Sequence, residues 1–196
     1  MEIDTPHGIA VVHLHPVAEP VGAMVLGHGA GGGVAARDLV RATKAAGGAN
    51  VSVALVEQPY RVAGRRSPAP ARQLDAAWTA VVGELARGPL AGVPLITGGR
   101  SSGARVACRT AQSTGAAGVL CLAFPLHPPG RPEKTRQPEL DDVTVPTLVV
   151  QGTSDPFGQP VGSSHCKVVL VAGNHSLTSD LDAVAAAVSG WLAQVL

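Results

Sequence analysis

A chain of 196 residues and 19.7 kDa has the size of one ordinary domain, spanning residues 1–196. Its 15 basic and 14 acidic residues are interspersed and leave a net charge of +1, so nucleic-acid or membrane binding has no electrostatic support. Cys108, Cys121 and Cys166 are widely spaced in apolar stretches, which predicts reduced thiols. The acidic start of the chain and the lack of an 18-residue apolar run predict a cytoplasmic protein.

Strand and helix patterns alternate along the chain. Short apolar runs predict strands at residues 9–15, 22–27, 51–56, 95–97, 119–124, 147–151 and 167–171. Apolar residues at helical spacing predict helices at about 34–46, 73–87, 104–112 and 180–195. The alternation predicts an α/β fold, with a mostly parallel sheet of about seven strands and helices on both faces. Because residues 16–20 form a short connection, we expect the first two strands to be an antiparallel hairpin at the sheet edge.

A glycine-rich stretch after the second strand has two interpretations. Gly27, Gly29 and Gly32 form G-x-G-x-x-G between a strand and a helix, as a dinucleotide site requires, and Glu57 follows the next strand as a candidate ribose ligand. The same stretch, starting at His28, also matches a loop whose backbone N–H groups bind an oxyanion. We favour the oxyanion loop, because Glu57 lies rather far downstream and a nucleotide site has no use for the motif described next.

A nucleophile motif lies between the strand at 95–97 and the helix that follows it. Residues 99–103 fit G-x-S-x-G, in which a serine occupies a sharp strand-to-helix turn. Ser101 has glycines two positions away on both sides, whereas Ser102 would need glycine where Arg100 and Ala104 stand. Ser101 is therefore the candidate nucleophile, although this short pattern taken alone is equally typical of an ordinary Gly/Ser turn that caps a helix.

Two further polar residues follow predicted strands directly. Asp155 comes after the strand at 147–151, and His175 comes after the strand at 167–171. Active sites of open parallel sheets lie at these strand ends. Taken singly, Asp155 would be a turn residue and His175 a surface histidine, but the order Ser101, Asp155, His175 is the nucleophile–acid–histidine order of α/β-hydrolases.

At this point the sequence resembles the α/β-hydrolase superfamily over about residues 9–196. More narrowly it looks like the small dienelactone-hydrolase-like proteins, nearest to bacterial relatives of the testis-expressed protein and NSL-complex subunit three family. The stretches that carry the resemblance are residues 28–31, 99–103, 124–130, 151–158 and 173–175. It implies a single-domain α/β-hydrolase fold. The proline-rich connection at 125–145 is too short for a lid domain.

The resemblance implies a serine hydrolase acting on small carboxylic esters or related acyl compounds. His175 would take the proton of Ser101, Asp155 would orient the imidazole, and the N–H groups of Ala30 and Ser102 would form the oxyanion hole. No metal or organic cofactor is needed. The alternative is a hydrolase-fold interaction subunit with little or no catalysis.

The expected partner is a small ester or acyl substrate, and neither a nucleic acid nor a membrane is expected to bind. The sequence leaves open whether the chain forms a homo-oligomer. Aromatic residues make up 3% of the chain. Tyr60, Phe124 and Phe157 lie near strand ends, where we expect them to bind substrate. The arginine-rich loop at 58–72 is interpreted as a solvated basic rim, with contact to an anionic substrate as the alternative. His13 and His15 share a strand face, but no third ligand is near in sequence, so no metal site is predicted.

Overall fold

The computed structural model describes all 196 residues, which form an eight-stranded sheet with helices on both faces. The strands are β1 (Glu2–Thr5), β2 (Gly8–His15), β3 (Gly22–Gly27), β4 (Val51–Glu57), β5 (Leu95–Arg100), β6 (Gly118–Leu122), β7 (Thr147–Gly152) and β8 (Cys166–Val171). The helices are α1 (Arg37–Gly48), α2 (Pro59–Val62), α3 (Ala71–Arg87), α4 (Ser102–Thr114), α5 (Gln137–Asp141) and α6 (Leu181–Val195). The alternation read from the sequence is confirmed, and no helix is both long and apolar enough to cross a bilayer.

The strand order is β1-β2-β4-β3-β5-β6-β7-β8. All pairings from β4 to β8 are parallel, and only β1 and β2 run antiparallel to their neighbours. The carboxyl ends of the parallel strands therefore meet along one edge of the sheet. Residues that directly follow β3, β5, β7 and β8 come together there, although they are far apart in the chain.

The expected hairpin between residues 9–15 and 22–27 is wrong. β2 pairs with β1 and β4, while β3 lies on the other side of β4 and pairs in parallel with β4 and β5. All six residues of β3 are buried, which suits a central strand with partners on both edges. β2 and β3 are two strand spacings apart, about 10 Å. The connection at 16–21 can span about 20 Å when it is extended, so it can pass the end of β4.

The eighth strand, β1, was not predicted because its sequence signal is weak. It has four residues, and Ile3 is the only one that is buried. Two short helices also lie within predicted loops: α2 within 58–72 and α5 within 125–145. The connection at 125–145 has no other helix or strand, so it adds no lid domain to the fold.

Alternating side chains of the central strands serve two cores. Met24 and Leu26 of β3 contribute to the core under α1 and α6, and Ala23 and Val25 contribute to the core under α3. Trp78, at the centre of the predicted apolar face of the 73–87 helix, is 1% exposed. The helical periodicity therefore identified the buried face of α3 correctly.

The three cysteines are free and buried, as predicted. The Sγ atoms of Cys108 and Cys121 lie 3.5 Å apart. The pKa of the Cys121 thiol is raised by its hydrogen bond to Cys108 and by burial. Burial also raises the pKa of Cys166 to about 11.

We therefore expect iodoacetamide to alkylate the native protein slowly at neutral pH, because the thiolate is the reactive form. In denaturant, iodoacetamide should alkylate all three cysteines of each chain. The free energy of unfolding should also fall as pH rises from about 9 to about 11, because the pKa of Cys166 is higher in the native state than in the unfolded chain. A denatured count of one would reveal a Cys108–Cys121 bridge and contradict the prediction.

Candidate active site

Ser101 occupies a strained turn between β5 and α4. Its φ of 52° and ψ of −111° lie in a region that non-glycine residues rarely adopt. A Cβ atom at Gly99 or at Gly103 would lie 2.5 Å from the carbonyl oxygen of Gly27. The two motif glycines are therefore needed for the close approach of the turn to β3. This strand–turn–helix context is the one that the G-x-S-x-G motif requires of a nucleophile.

The structure brings Ser101, His175 and Asp155 into one chain of hydrogen bonds. The Ser101 Oγ atom is 2.9 Å from His175 Nε2. His175 Nδ1 is 2.8 Å from Asp155 Oδ2. The Asp155 carboxylate also accepts hydrogen bonds from the Phe157 N–H and from Gln151 Nε2. Because a carboxylate only accepts, His175 carries its proton on Nδ1, and its Nε2 is left to accept the Ser101 hydroxyl.

Gln151 supports this arrangement and was not assigned a role from the sequence. Its Nε2 atom lies 2.9 Å from Asp155 Oδ2, 3.1 Å from the Phe124 carbonyl oxygen and 2.8 Å from the Gly158 carbonyl oxygen. The side chain therefore ties the turn that carries Asp155 to the end of β6. The signal in the sequence is an amide side chain in the fully buried strand β7, four positions before the acid.

His28 is a neutral imidazole that orders the glycine-rich loop after β3. Its Nε2 accepts a hydrogen bond of 3.1 Å from the Gln58 N–H, so its Nδ1 carries the proton and donates to the Gly29 carbonyl at 2.8 Å. Burial lowers the pKa of His28, which favours this neutral form. Nearby, the Tyr60 hydroxyl donates to the Ala30 carbonyl at 3.0 Å. His28 and Tyr60 therefore hold the backbone of this loop from two sides.

The orientation of the Gly29–Ala30 peptide follows from these contacts. Its carbonyl faces His28, and the peptide is trans, so the Ala30 N–H points in the opposite direction. A Cβ atom on Gly29 would lie 3.5 Å from the Ser101 Cβ, which places the loop beside the candidate nucleophile. The Ser102 N–H belongs to the first turn of α4, where helices leave N–H groups without intrahelical acceptors.

The dinucleotide interpretation of the same glycines does not agree with the structure. A dinucleotide site needs a helix that opens at the glycines, but α1 begins only at Arg37. Glu57 lies 3.3 Å from His13 Nε2, on the antiparallel side of the sheet. Neither feature provides the phosphate and ribose contacts of such a site. The structure groups no three His, Cys, Asp or Glu side chains that could hold a metal ion.

The three aromatic residues expected to bind substrate have different environments. The Phe157 ring packs on the His175 ring, with centroids 4.2 Å apart. Tyr60 is 6% exposed, and its hydroxyl donates its hydrogen bond to the Ala30 carbonyl. Phe124 is fully buried among core residues and offers no surface to a substrate. The backbone before it turns at Ala123, whose φ is 51°, so a place just past a strand end did not mean exposure.

Two cavities lie along or beside α4, the helix that follows Ser101. One of about 10 Å³ lies beside Ser102 and is lined by His28, Gln58 and Tyr60 among others. A groove of about 970 Å³ lies along α4 and is lined by residues such as Arg109 and Glu139, but by none of the three residues of the hydrogen-bonded chain. Neither of these two cavities forms a long apolar channel that opens on Ser101.

Solved structures of other proteins share this fold. A serine hydrolase without a lid from Xanthomonas campestris is 18% identical, with a TM-score of 0.79 over 100% of this chain and 94% of that one. Est1E of Butyrivibrio proteoclasticus with ferulic acid bound is 17% identical, with a TM-score of 0.81 over 100% and 98% of the two chains. A dienelactone hydrolase from Anabaena variabilis is 16% identical, with a TM-score of 0.77 over 100% and 96%. At these identities the likeness establishes the shared fold.

The model of the alpha/beta hydrolase domain family matches residues 20–181, a range that includes Ser101, Asp155 and His175. No curated protein sequence matches the chain significantly. The family match and the hydrolases among the structural neighbours support a hydrolase activity. The chain belongs to the family of alpha/beta hydrolase domains.

Proposed function

We propose that this protein is a serine hydrolase that cleaves small carboxylic esters or related acyl compounds. The observation that carries the proposal is the unbroken hydrogen-bond chain from Ser101 Oγ through His175 to Asp155. A histidine whose Nδ1 proton is held by a buried carboxylate presents a basic Nε2 to the serine hydroxyl. This is the arrangement that activates a serine for nucleophilic attack.

The chemistry follows from these positions. Ser101 Oγ attacks the ester carbonyl carbon while His175 Nε2 takes its proton, and Asp155 stabilises the imidazolium that forms. The imidazolium returns the proton to the departing alcohol, which leaves an acyl group on Ser101. A water molecule then attacks the acyl carbon, again with His175 as base, and releases the acid.

The proposed oxyanion hole consists of the N–H groups of Ala30 and Ser102. The Gly29 carbonyl faces His28, which supports an Ala30 N–H that points away from His28. Ser102 is the first residue of α4, which supports an N–H there without an intrahelical acceptor. The partial positive charge at the helix N-terminus favours negative charge there. Each such donor typically stabilises the transition state by about 3 kcal/mol.

The finer relationship, to bacterial relatives of the testis-expressed protein and NSL-complex subunit three family, also remains our proposal. It rests on the motif stretches at 28–31, 99–103, 124–130, 151–158 and 173–175. That relationship keeps an interaction subunit with little catalysis as the alternative function. The intact set of Ser101, His175 and Asp155 favours the enzyme, since a chain that had lost its catalysis would be expected to lose one of them.

A fluorophosphonate probe, read by intact mass, distinguishes the two functions without knowledge of the substrate. We expect one adduct per chain in the folded protein and none after denaturation, because only the folded site activates the serine. Hydrolysis of p-nitrophenyl acetate should accompany labelling. A folded protein that neither labels nor hydrolyses any short ester would contradict the proposal and favour the interaction subunit.

The surroundings of Ser101 also predict the length of the acyl chain. Each buried methylene contributes only about 0.8 kcal/mol, and only if there is an apolar wall to receive it. The cavity beside Ser102 measures about 10 Å³, and Phe157 is the aromatic ring that packs next to His175. We therefore expect kcat/KM to be higher for p-nitrophenyl acetate and butyrate than for octanoate or palmitate.

No jump in rate should occur when a long-chain substrate passes its solubility limit, because no lid has to open at an interface. The short esters serve as the control for intrinsic reactivity in the same assay. A value of kcat/KM that still rises at twelve or sixteen carbons would reveal an apolar groove and contradict this prediction.

A further inference from the structure

Arg100 occupies the x position before the serine in G-x-S-x-G and contacts three separate parts of the site. Its Nε atom is 2.7 Å from Oδ2 of Asp38 on α1. Its Nη2 atom donates to the backbone carbonyl of His175 at 2.9 Å. A Cβ atom placed on Gly29 would lie 2.9 Å from Arg100 Nη1, so the guanidinium also packs against the backbone of the glycine-rich loop.

Arg100 is one of the groups that anchor the His175 segment. His175 lies between β8 and α6, in a stretch with no helix or strand of its own. Its side chain must stay within hydrogen-bond distance of both Ser101 and Asp155. A planar guanidinium with several fixed donors can hold a carbonyl and a carboxylate in one geometry.

Burying the carboxylate of Asp38 carries a desolvation penalty, so its position calls for an explanation other than stability. Its side chain is 1% exposed, and that of Arg100 is 17% exposed. Burial raises the pKa of Asp38, and the charge of Arg100 opposes this shift. A buried ion pair is weak evidence for stability, because desolvation of both charges offsets most of the attraction. The main effect of the Arg100–Asp38 pair is therefore geometric: it fixes the guanidinium beside the His175 carbonyl.

We propose that Arg100, held by Asp38, is a positioning residue that fixes the backbone of His175 and of the Gly29 loop relative to Ser101. The inference rests on the proposed hydrolase function. Arg100 supplies no proton and binds no substrate in this role. It acts by keeping the imidazole and the oxyanion loop within the tolerance that the reaction demands, where a displacement of 1 Å costs about 10²-fold in rate.

The test compares Arg100→Ala with Arg109→Ala as the matched control. Arg109 lies on α4 and pairs with Asp75, at a side-chain exposure of 21%, but touches none of Ser101, His175 and Asp155. Both variants lose a partly buried ion pair, so both should lose some stability. Only Arg100→Ala should lower kcat for p-nitrophenyl acetate, by about 10²-fold with little change in KM.

Added guanidinium at millimolar concentration should restore part of kcat to Arg100→Ala, an effect that a loss of general stability would not show. Should Arg100→Ala fail to fold, Arg100→Lys keeps the charge beside Asp38 but cannot hold both partners, and it should also lower kcat. Wild-type kcat in the Arg100 variant that folds, or an equal loss in Arg109→Ala, would overturn the proposal.

One readout is independent of turnover. The Nδ1 proton that His175 shares with Asp155 should be visible by proton NMR in the wild type and in Arg109→Ala, and it should broaden or vanish in Arg100→Ala. If Arg100→Ala loses this proton and Arg109→Ala keeps it, but the wild type hydrolyses no ester, the proposed function fails while the positioning role stands. If Arg100→Ala keeps the proton sharp, the positioning role fails alone.

Discussion

Replacing Ser101 by alanine is expected to abolish both the fluorophosphonate adduct and ester hydrolysis. Loss of a nucleophilic serine in such a site lowers kcat on the order of 10⁶-fold. The melting temperature should stay nearly unchanged, because the hydroxyl makes its one side-chain contact with His175 Nε2 and the strained backbone is retained. Intact mass after labelling and a melting curve check both parts.

Ser102→Ala is the matched control, since it changes the adjacent hydroxyl in the same turn. We assign only the backbone N–H of Ser102 to the site, and that group survives the substitution. The variant should therefore label and hydrolyse ester much as the wild type does. Loss of the adduct in Ser102→Ala alone, with Ser101→Ala still labelled, would reverse the assignment of the nucleophile.

Asp155→Asn should have the second largest effect, a fall in kcat of about 10⁴-fold. The amide that replaces the carboxylate has donors where His175 Nδ1–H and Gln151 Nε2 now donate, at 2.8 Å and 2.9 Å. Relief of this conflict shifts the imidazole to the wrong tautomer, so Nε2 no longer accepts the Ser101 proton. Steady-state kinetics with p-nitrophenyl acetate measures the loss.

A suitable control is Asp142→Asn, because Asp142 is exposed just after α5 and makes no contact with His175. It should leave kcat unchanged. Nearly full activity in Asp155→Asn would move the acid elsewhere. Glu57, which lies at the end of β4, would be the next candidate, but its carboxylate faces His13, so that outcome would also require a rearrangement of the sheet edge.

Much of the fold was predictable because its signals are local. The 3.6-residue period of α3 and the apolar runs of β3 to β8 appear in short windows of sequence, and the structure has these elements close to the predicted bounds. The position of Ser101 between two glycines is likewise a local pattern, and its steric reason is the backbone of Gly27. The weak strand β1 and the short helices α2 and α5 carry too few residues to give such a signal.

Local patterns in the sequence were sufficient to predict the α/β class, the core face of α3, the strand-to-helix turn at Ser101 and the chain order of Ser101, Asp155 and His175. The folded protein was needed to see that β4 lies between β2 and β3 and that Phe124 turns inward. It was also needed to place Gln151 and the Arg100–Asp38 pair around the site. The two groups of features differ in the range over which they arise along the chain. Periodicity and turn chemistry act over a few residues, whereas strand order and the partner of a buried charge depend on which distant segments the packed sheet brings together.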